Sequence, residues 1–460
     1  MKKIIISVLF LIVSATCVSA KSVDEYVSDI KYGTPDARLR SALAVAELGN
    51  KDAIPVLVPV LIDALKDVDV NVRNSAVIAL SKLGDPRAVP PLTEILSVEP
   101  DADVRKNVVE ALEVLNDKVA VPAIIKALKD LDTNVRKSAA IALGNFQDKT
   151  AVPDLTLAIK SEDIPFRRLV IQALVKIGDK SSVPDLVGVF KDTDSFVRYY
   201  ATAALETLVD TSHIPLLTAA LDNLYPEIRR LILETLIRLG DKNSVPVFVR
   251  FLQDENVWVR RQAAQGIIVL GDKTQSQALA VCLVDTDPPF RRLIAEALSK
   301  LADNSVLPQL ISALNDSDTV VRDYTTAAIE RLADKNAVQP LIGKLTDSDD
   351  NVRERAARLL GILNDKTAVP ALIAALKDKK EEVRKLSAES LIALGDMSAV
   401  PGLMDELKTS DPETRRLAAE ALGNLRAADA LAAVTYVAGN DRDAKVRETA
   451  TKAVKLIKTK

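Results

Sequence analysis

Apolar residues recur along most of the chain at steps of three and four, in short blocks parted by charged turns. The stretch from Asn364 to Gly395, NDKTAVPALIAALKDKKEEVRKLSAESLIALG, shows the pattern in full. Its first half carries apolar residues at helical spacing. Pro370 stands near the start, where a first helical turn has no use for the missing N–H. Its second half puts Val383, Ala388, Leu391 and Leu394 on one helical face. Gly395 follows where a left-handed residue ends a helix. The stretch reads as a hairpin: an A helix opening between Asp365 and Pro370, a tight turn, a B helix, and a second tight turn.

The hairpin repeats. An apolar-Arg pair appears at Arg40, Arg73 and Arg105, then at a constant step of 31 residues from Arg105 to Arg415, and last at Arg447; only Arg415 lacks the apolar neighbour, having Thr414. A period of this size is the signature of a solenoid. An aspartate lies four residues before most of these arginines, from Asp36 to Asp443, with Tyr225, Asn256 and Lys380 as exceptions. It is placed to cap helix B. Another lies twelve residues after each arginine, from Asp52 to Asp396, and is expected to start helix A. Acids present in a dozen equivalent copies are structural. Paired-carboxylate catalysis needs two acids set apart by their surroundings.

The expected fold is therefore all-α, an α-α superhelix of about fourteen helical hairpins, running as one solenoid over residues 21–460 with atypical terminal caps. Four extra residues between Pro55 and Arg73 predict an A helix about one turn longer. Gln277 replaces the A-helix proline, Pro340 is displaced by one place, and Ala430 to Val437 lacks the proline.

The first twenty residues differ from the rest. Lys2 and Lys3 precede the apolar run Ile4 to Val13, and Val18-Ser19-Ala20 offers small residues before Lys21. This predicts a secretory signal peptide cut after Ala20, too short to span a bilayer, and hence export to the periplasm or cell exterior. Ser14 and Thr16 stand where a lipoprotein signal has leucine and a small residue, so no lipid anchor is expected at Cys17.

Without Lys2 and Lys3 the chain carries 61 − 2 = 59 basic and 64 acidic residues, a net charge of −5. That opposes nucleic-acid binding. One histidine (His213) and two cysteines (Cys17, Cys282) are too few for a metal site of His and Cys ligands. No cofactor, metal or catalytic residue is expected. With the leader gone Cys282 is alone, so stability must come from packing.

The pattern D-K-x-A-V-P-x-L-x-x-x-L-x-D-x-D-x-x-V-R-x-x-A-x-x-A-L-x-x-L-G resembles the HEAT repeat, specifically the 31-residue type named after phycobilisome bilin lyases. The resemblance covers roughly residues 22–460. It implies that the recurring Asp and Arg, from Arg105 to Arg415, bond within and between repeats as a ladder, and that helix B lines the concave wall. The repeat type occurs in scaffolds, chromophore lyases and a di-iron hydroxylase. The hydroxylase, which acts on deoxyhypusine, holds metal with His-Glu pairs, and this chain has none.

Counting from the repeated arginine, positions −1, +3, +6, +7 and +10 are mostly apolar and face the stack; +1, +2, +5 and +9 point away. The outward positions are where the repeats differ, so a binding groove is expected there. Position +1 supplies Arg168, Tyr199, Arg230, Arg261 and Arg292; position +2 supplies Leu169, Tyr200, Leu231, Gln262, Leu293 and Tyr324. Exposed Tyr, Leu and Arg fit a protein–protein surface. His213 reads as a surface residue, Trp258 as a rim aromatic and Cys282 as a small buried hydrophobe. The expectation is an exported, monomeric, non-catalytic scaffold for a protein or extended peptide; a bilin-lyase-type accessory is the alternative.

Overall fold

A computed structural model describes residues 21–47, 51–222 and 225–459. The expected leader, its cut after Ala20 and Cys17 lie outside the described residues. Among the described residues every element is helical, and 28 α-helices pair into fourteen hairpins. Backbone proximity divides the chain into two units, Met1–Leu224 and Tyr225–Lys460. Each is an all-α solenoid of the same hairpin.

The local causes are visible in one repeat. The Asp365 carboxylate accepts the Thr367 N–H at 2.9 Å and opens a 3-10 turn, Lys366–Ala368. That turn runs straight into the A helix Val369–Ala375, with Pro370 in its first turn. Both sites proposed for the start are thus used, in succession. The equivalent aspartates from Asp85 to Asp334, and Asp396, cap the same kind of turn. Asp52 instead lies inside the turn Lys51–Ala53. The B helix Glu381–Leu394 buries Val383, Ala388, Leu391 and Leu394 and ends on Gly395 at φ 58°.

The other series of aspartates caps helix B as expected. Asp69, Asp101, Asp132, Asp163, Asp194, Asp287, Asp318, Asp349, Asp411 and Asp443 each accept a first-turn N–H. Asn256 does the same work, while Tyr225 and Lys380 offer no side-chain cap. Asp36 departs from the expectation. Pro35 fixes the first helical residue of Pro35–Glu47, so Thr34 becomes the cap and accepts the Ala37 N–H at 3.3 Å. The A helix Ile54–Ala64 has 11 residues against 7 in Val369–Ala375, the extra turn predicted from the spacing.

The repeated arginines form the ladder. Arg105 donates through Nη1 to the Glu99 and Pro100 carbonyls at 3.1 and 2.9 Å. Through Nε and Nη2 it donates to both oxygens of Asp130, at 2.8 Å each. The acid is the first of the D-x-D pair in the next hairpin, and it also accepts the Asp132 N–H at 2.8 Å. Each such rung ties one turn, the next turn and a backbone amide together. Ahead of the stretch expected to form the ladder, a rung is made by Arg38 and not by Arg40 of the apolar-Arg series. Arg38 pairs with Asp67, whereas Arg40 is exposed and reaches only Asp36 at 3.7 Å.

In the second unit Arg229 donates to Asp254 at 2.8 Å and Arg260 to Asp285 at 3.2 Å, and from Arg291 on the rungs alternate. Arg291–Asp316, Arg353–Asp378 and Arg415–Asp441 are two-pronged. Between them, Asp347 is taken by Lys344 at 3.0 Å, and Thr409 stands where Arg384 would need an acid. The Nε atoms of Arg322 and Arg384 are buried without a hydrogen-bond partner.

The B helices follow the same alternation. Pro288–Leu301 packs closely on Thr319–Leu332, Asp350–Leu363 on Glu381–Leu394, and Pro412–Asn424 on Ala444–Lys458; the intervening neighbours stand farther apart. The cause lies eight residues after each arginine. That position holds Ser299, Gly361 and Gly423 at the close pairs but Glu330 and Ile392 at the wide ones. A Cβ on Gly423 would meet the Ala453 Cα at 2.6 Å, and one on Gly361 would collide with Ser390. From Pro288 on the working repeat is two hairpins; before it Ile237 and Ile268 both hold that position and the joints do not alternate.

Candidate functional site: the helix-B face

The +1 arginines leave the stack, as expected, but they are not free cations. In the first unit Arg168 donates through Nη2 to Asp194 at 2.8 and 3.0 Å. Asp194 is the cap of the next B helix and accepts the Val197 N–H at 2.8 Å. The same guanidinium lies over the Phe196 ring, 4.6 Å from its centroid. Phe196 and Tyr199 are 57% and 68% exposed, and Tyr199 meets Tyr200 edge to face at 5.6 Å.

The second unit repeats the device. Arg261 holds both oxygens of Asp287, the following cap, at 2.8 and 2.7 Å. Its guanidinium lies 4.5 Å from the Trp258 ring, which is 60% exposed. Arg292 holds Asp318 at 2.8 Å. Where the following cap is Asn256, there is no charge to meet, and Arg230 turns to Glu234 at 3.1 Å. Glu296, four residues after Arg292, pairs with Lys300 instead. These arginines hold the Asp194, Asp287 and Asp318 carboxyls below the usual carboxylate range.

The +2 side chains are placed differently from the expectation of exposed Leu and Tyr. Leu169, Tyr200, Leu231, Gln262, Leu293 and Tyr324 are all half-buried. The exposed aromatics of the B helices are Phe196 and Trp258 at position −2 and Tyr199 at +1. The signal was readable: large aromatics at a turn-facing position where other repeats carry Glu227 or Asn351.

A furrow also opens on this face, at the wide joint between Thr319–Leu332 and Asp350–Leu363. It encloses about 400 Å³, lined by Thr326, Ala327, Glu354 and Leu386 and bridged by Arg355–Asp323 at 2.6 Å and Arg358–Glu330 at 3.3 Å.

The remaining singled-out residues have structural roles. His213 is half-buried, and its Nδ1 lies 2.9 Å from the Asp210 carboxylate in a reciprocal cap. The Cys282 thiol is buried and its pKa is pushed up to about 11, first by burial and then by Asp285. Among the described residues no group of three or more His, Cys, Asp or Glu could hold a metal ion, and no helix is long and apolar enough to cross a membrane.

Comparison with known proteins bears on the repeat. The family profile described as HEAT repeats matches residues 31–113, 121–206, 214–299, 252–330, 307–393 and 369–455. The profile of the PBS lyase HEAT-like repeat matches residues 104–130. No curated protein matches. Among solved structures, the chain is similar to the complex of CpcE and CpcF of phycocyanin lyase from Nostoc sp. PCC7120, at 20% identity and a TM-score of 0.29, over 60% of this chain and 94% of that one. It is similar to an engineered protein at 22% identity and a TM-score of 0.25, over 95% and 99%. It is also similar to Kap121p in its complex with Ste12p, at 13% identity and a TM-score of 0.32; there it covers 95% of its own length and 52% of Kap121p.

Proposed function

The chain belongs to the HEAT-repeat family, and from that premise we propose that it is an exported, non-catalytic scaffold that grips a protein or extended peptide on its helix-B face. One observation carries the reading: exposed aromatics are locked by ion-paired arginines in each unit, Phe196 by Arg168–Asp194 and Trp258 by Arg261–Asp287. Trp, Tyr and Arg dominate interface hot spots. A side chain already fixed avoids the ordering cost of about 0.5–1.5 kcal/mol that a mobile one incurs on binding. The surface is thus made ready before the partner arrives.

The other parts of the reading rest on chemistry. A thiol with a pKa of about 11 is protonated at neutral pH and is no nucleophile. The only histidine serves a cap. The sequence of the first twenty residues supports export. The scaffold works as a monomer, which light scattering of residues 21–460 would check.

The test is capture from periplasmic and extracellular extracts with residues 21–460. A specific partner should bind the parent protein and be lost at least tenfold on Trp258→Ala or on Phe196→Ala with Tyr199→Ala. Retention in both variants overturns the helix-B assignment, and purification with bound iron or a coloured ligand overturns the non-catalytic one.

A further inference from the structure

The A-helix side of the second unit carries a series of clefts, the first of about 340 Å³ and lined by Leu252, Arg260, Cys282 and Asp285. Three more enclose about 310, 650 and 790 Å³ in chain order. Leu283, Leu345 and Leu407 line them in turn, each 62 residues after the last; Arg291, Arg353 and Arg415 keep the same step, as do Ala313, Ala375 and Val437. These three stand two hairpins apart, at the joints where the B helices pack closely. The cleft over Ser299 is the smallest, and those over Gly361 and Gly423 are larger.

The two larger clefts share a chemistry. Their floors are apolar: Leu345, Ala371 and Ala375 in one; Leu407, Val437 and the exposed Tyr436 in the other. The rung acids Asp378 and Asp441 are consumed by Arg353 and Arg415. Cations stand on the rims, Lys377 and Lys379 on one and Lys408 and Arg442 on the other. Lys379 and Lys408 make exposed ion pairs with Asp350 and Asp405, and pairs of that kind exchange readily for a partner's acids, whereas Lys377 is held by the buried Glu406. The smallest cleft has Asp285, Asn315 and Asp316 at its rim and no lysine.

We infer that this side is a second interaction surface, which takes an extended acidic peptide by two bulky apolar side chains about six residues apart. The spacing comes from the geometry. Packed hairpins stand about 8–10 Å apart, so clefts two hairpins apart are separated by about 16–20 Å. An extended chain covers that distance in about six residues at roughly 3.3 Å each. Each apolar side chain enters one cleft, and acids between them meet the lysines.

The experiment uses fluorescence anisotropy on residues 21–460 with a labelled peptide bearing two Phe six residues apart among Glu and Ser. Control peptides carry one Phe, or two Phe three residues apart. Linking two sites multiplies affinity, so the six-residue peptide should bind at least tenfold more tightly than either control. Ala371→Arg or Ala433→Arg, each filling one cleft from an A helix, should lower it to the one-Phe level with helicity unchanged. Trp258→Ala should leave it unaltered, which separates this surface from the helix-B face. No binding, binding independent of spacing, or full binding by the doubly substituted protein overturns the inference. So does a dimer that the same substitutions dissolve, because the occupant would then be a second copy.

Discussion

Arg353 holds Asp378 by two hydrogen bonds, 2.7 Å from Nε and 3.0 Å from Nη2, and both side chains are nearly buried. Removing one partner of a buried pair leaves the other uncompensated, at a cost of about 3–5 kcal/mol. Asp378→Asn should therefore lower stability by about 3 kcal/mol in urea unfolding. Thirty-one residues on, Arg384 has Thr409 at the matching position and a buried Nε without a partner. Thr409→Asp should complete that rung and raise stability by about 1 kcal/mol. A loss of stability on Thr409→Asp would show that Arg384 is satisfied otherwise.

The ladder also sets an acid limit. The Asp130 and Asp441 carboxyls lie below the usual range, chiefly through their bonds to Arg105 and Arg415. Their folded pKa values are lower than their unfolded ones, so their contribution is complete above the unfolded value of about 3.9. It is lost as pH falls through the lowered folded value. Asp130→Asn should therefore cost most at pH 6–7, and its stability gap from the parent should shrink below about pH 4. A gap that stays constant down to pH 2 would remove the charge from the account.

Trp258 is the chain's one tryptophan and reports on its own neighbour. Arg261 covers one face of the ring at 4.5 Å. Arg261→Ala should raise acrylamide quenching and cost about 1 kcal/mol, the sum of a lost cation–π contact and an exposed pair. Helicity should persist, because Asp287 still caps its helix through the Phe290 N–H at 2.9 Å. Unchanged quenching would mean that the arginine does not fix the ring.

Helix ends offer a test of local strain. Ala333 closes Thr319–Leu332 at φ 45°, where Gly84 and Gly395 close theirs without a Cβ. The left-handed region costs an alanine about 1 kcal/mol. Ala333→Gly should recover that amount in thermal or urea unfolding.

Much of this was legible in the sequence. The arginine step gave the hairpins, the two aspartate series gave their caps, and the longer Pro55–Arg73 interval gave the longer helix. What escaped was relational. Nothing in the Asp130 repeat alone says that its first D-x-D acid serves the arginine of the hairpin before it. The half-burial of Leu231 and Tyr324, and how far apart two B helices stand, are not written in one repeat. That distance is set by a residue another helix must approach, and the alternation Ser299, Glu330, Gly361, Ile392, Gly423 is hidden inside an otherwise constant step.

Gly423 puts that control to the test. A Cβ there would meet the Ala453 Cα at 2.6 Å, so a side chain must push Ala444–Lys458 off Pro412–Asn424. Ile occupies the matching position one repeat earlier, at a wide joint. Gly423→Ile should convert the close pair into a wide one. Overpacking of this kind costs about 1–3 kcal/mol, and in a solenoid it falls on the repeats that share the joint. Hydrogen exchange should therefore quicken over residues 431–459 while residues 350–394 keep their protection. Uniform loss of protection across the unit would show instead that the two-hairpin blocks are not independent.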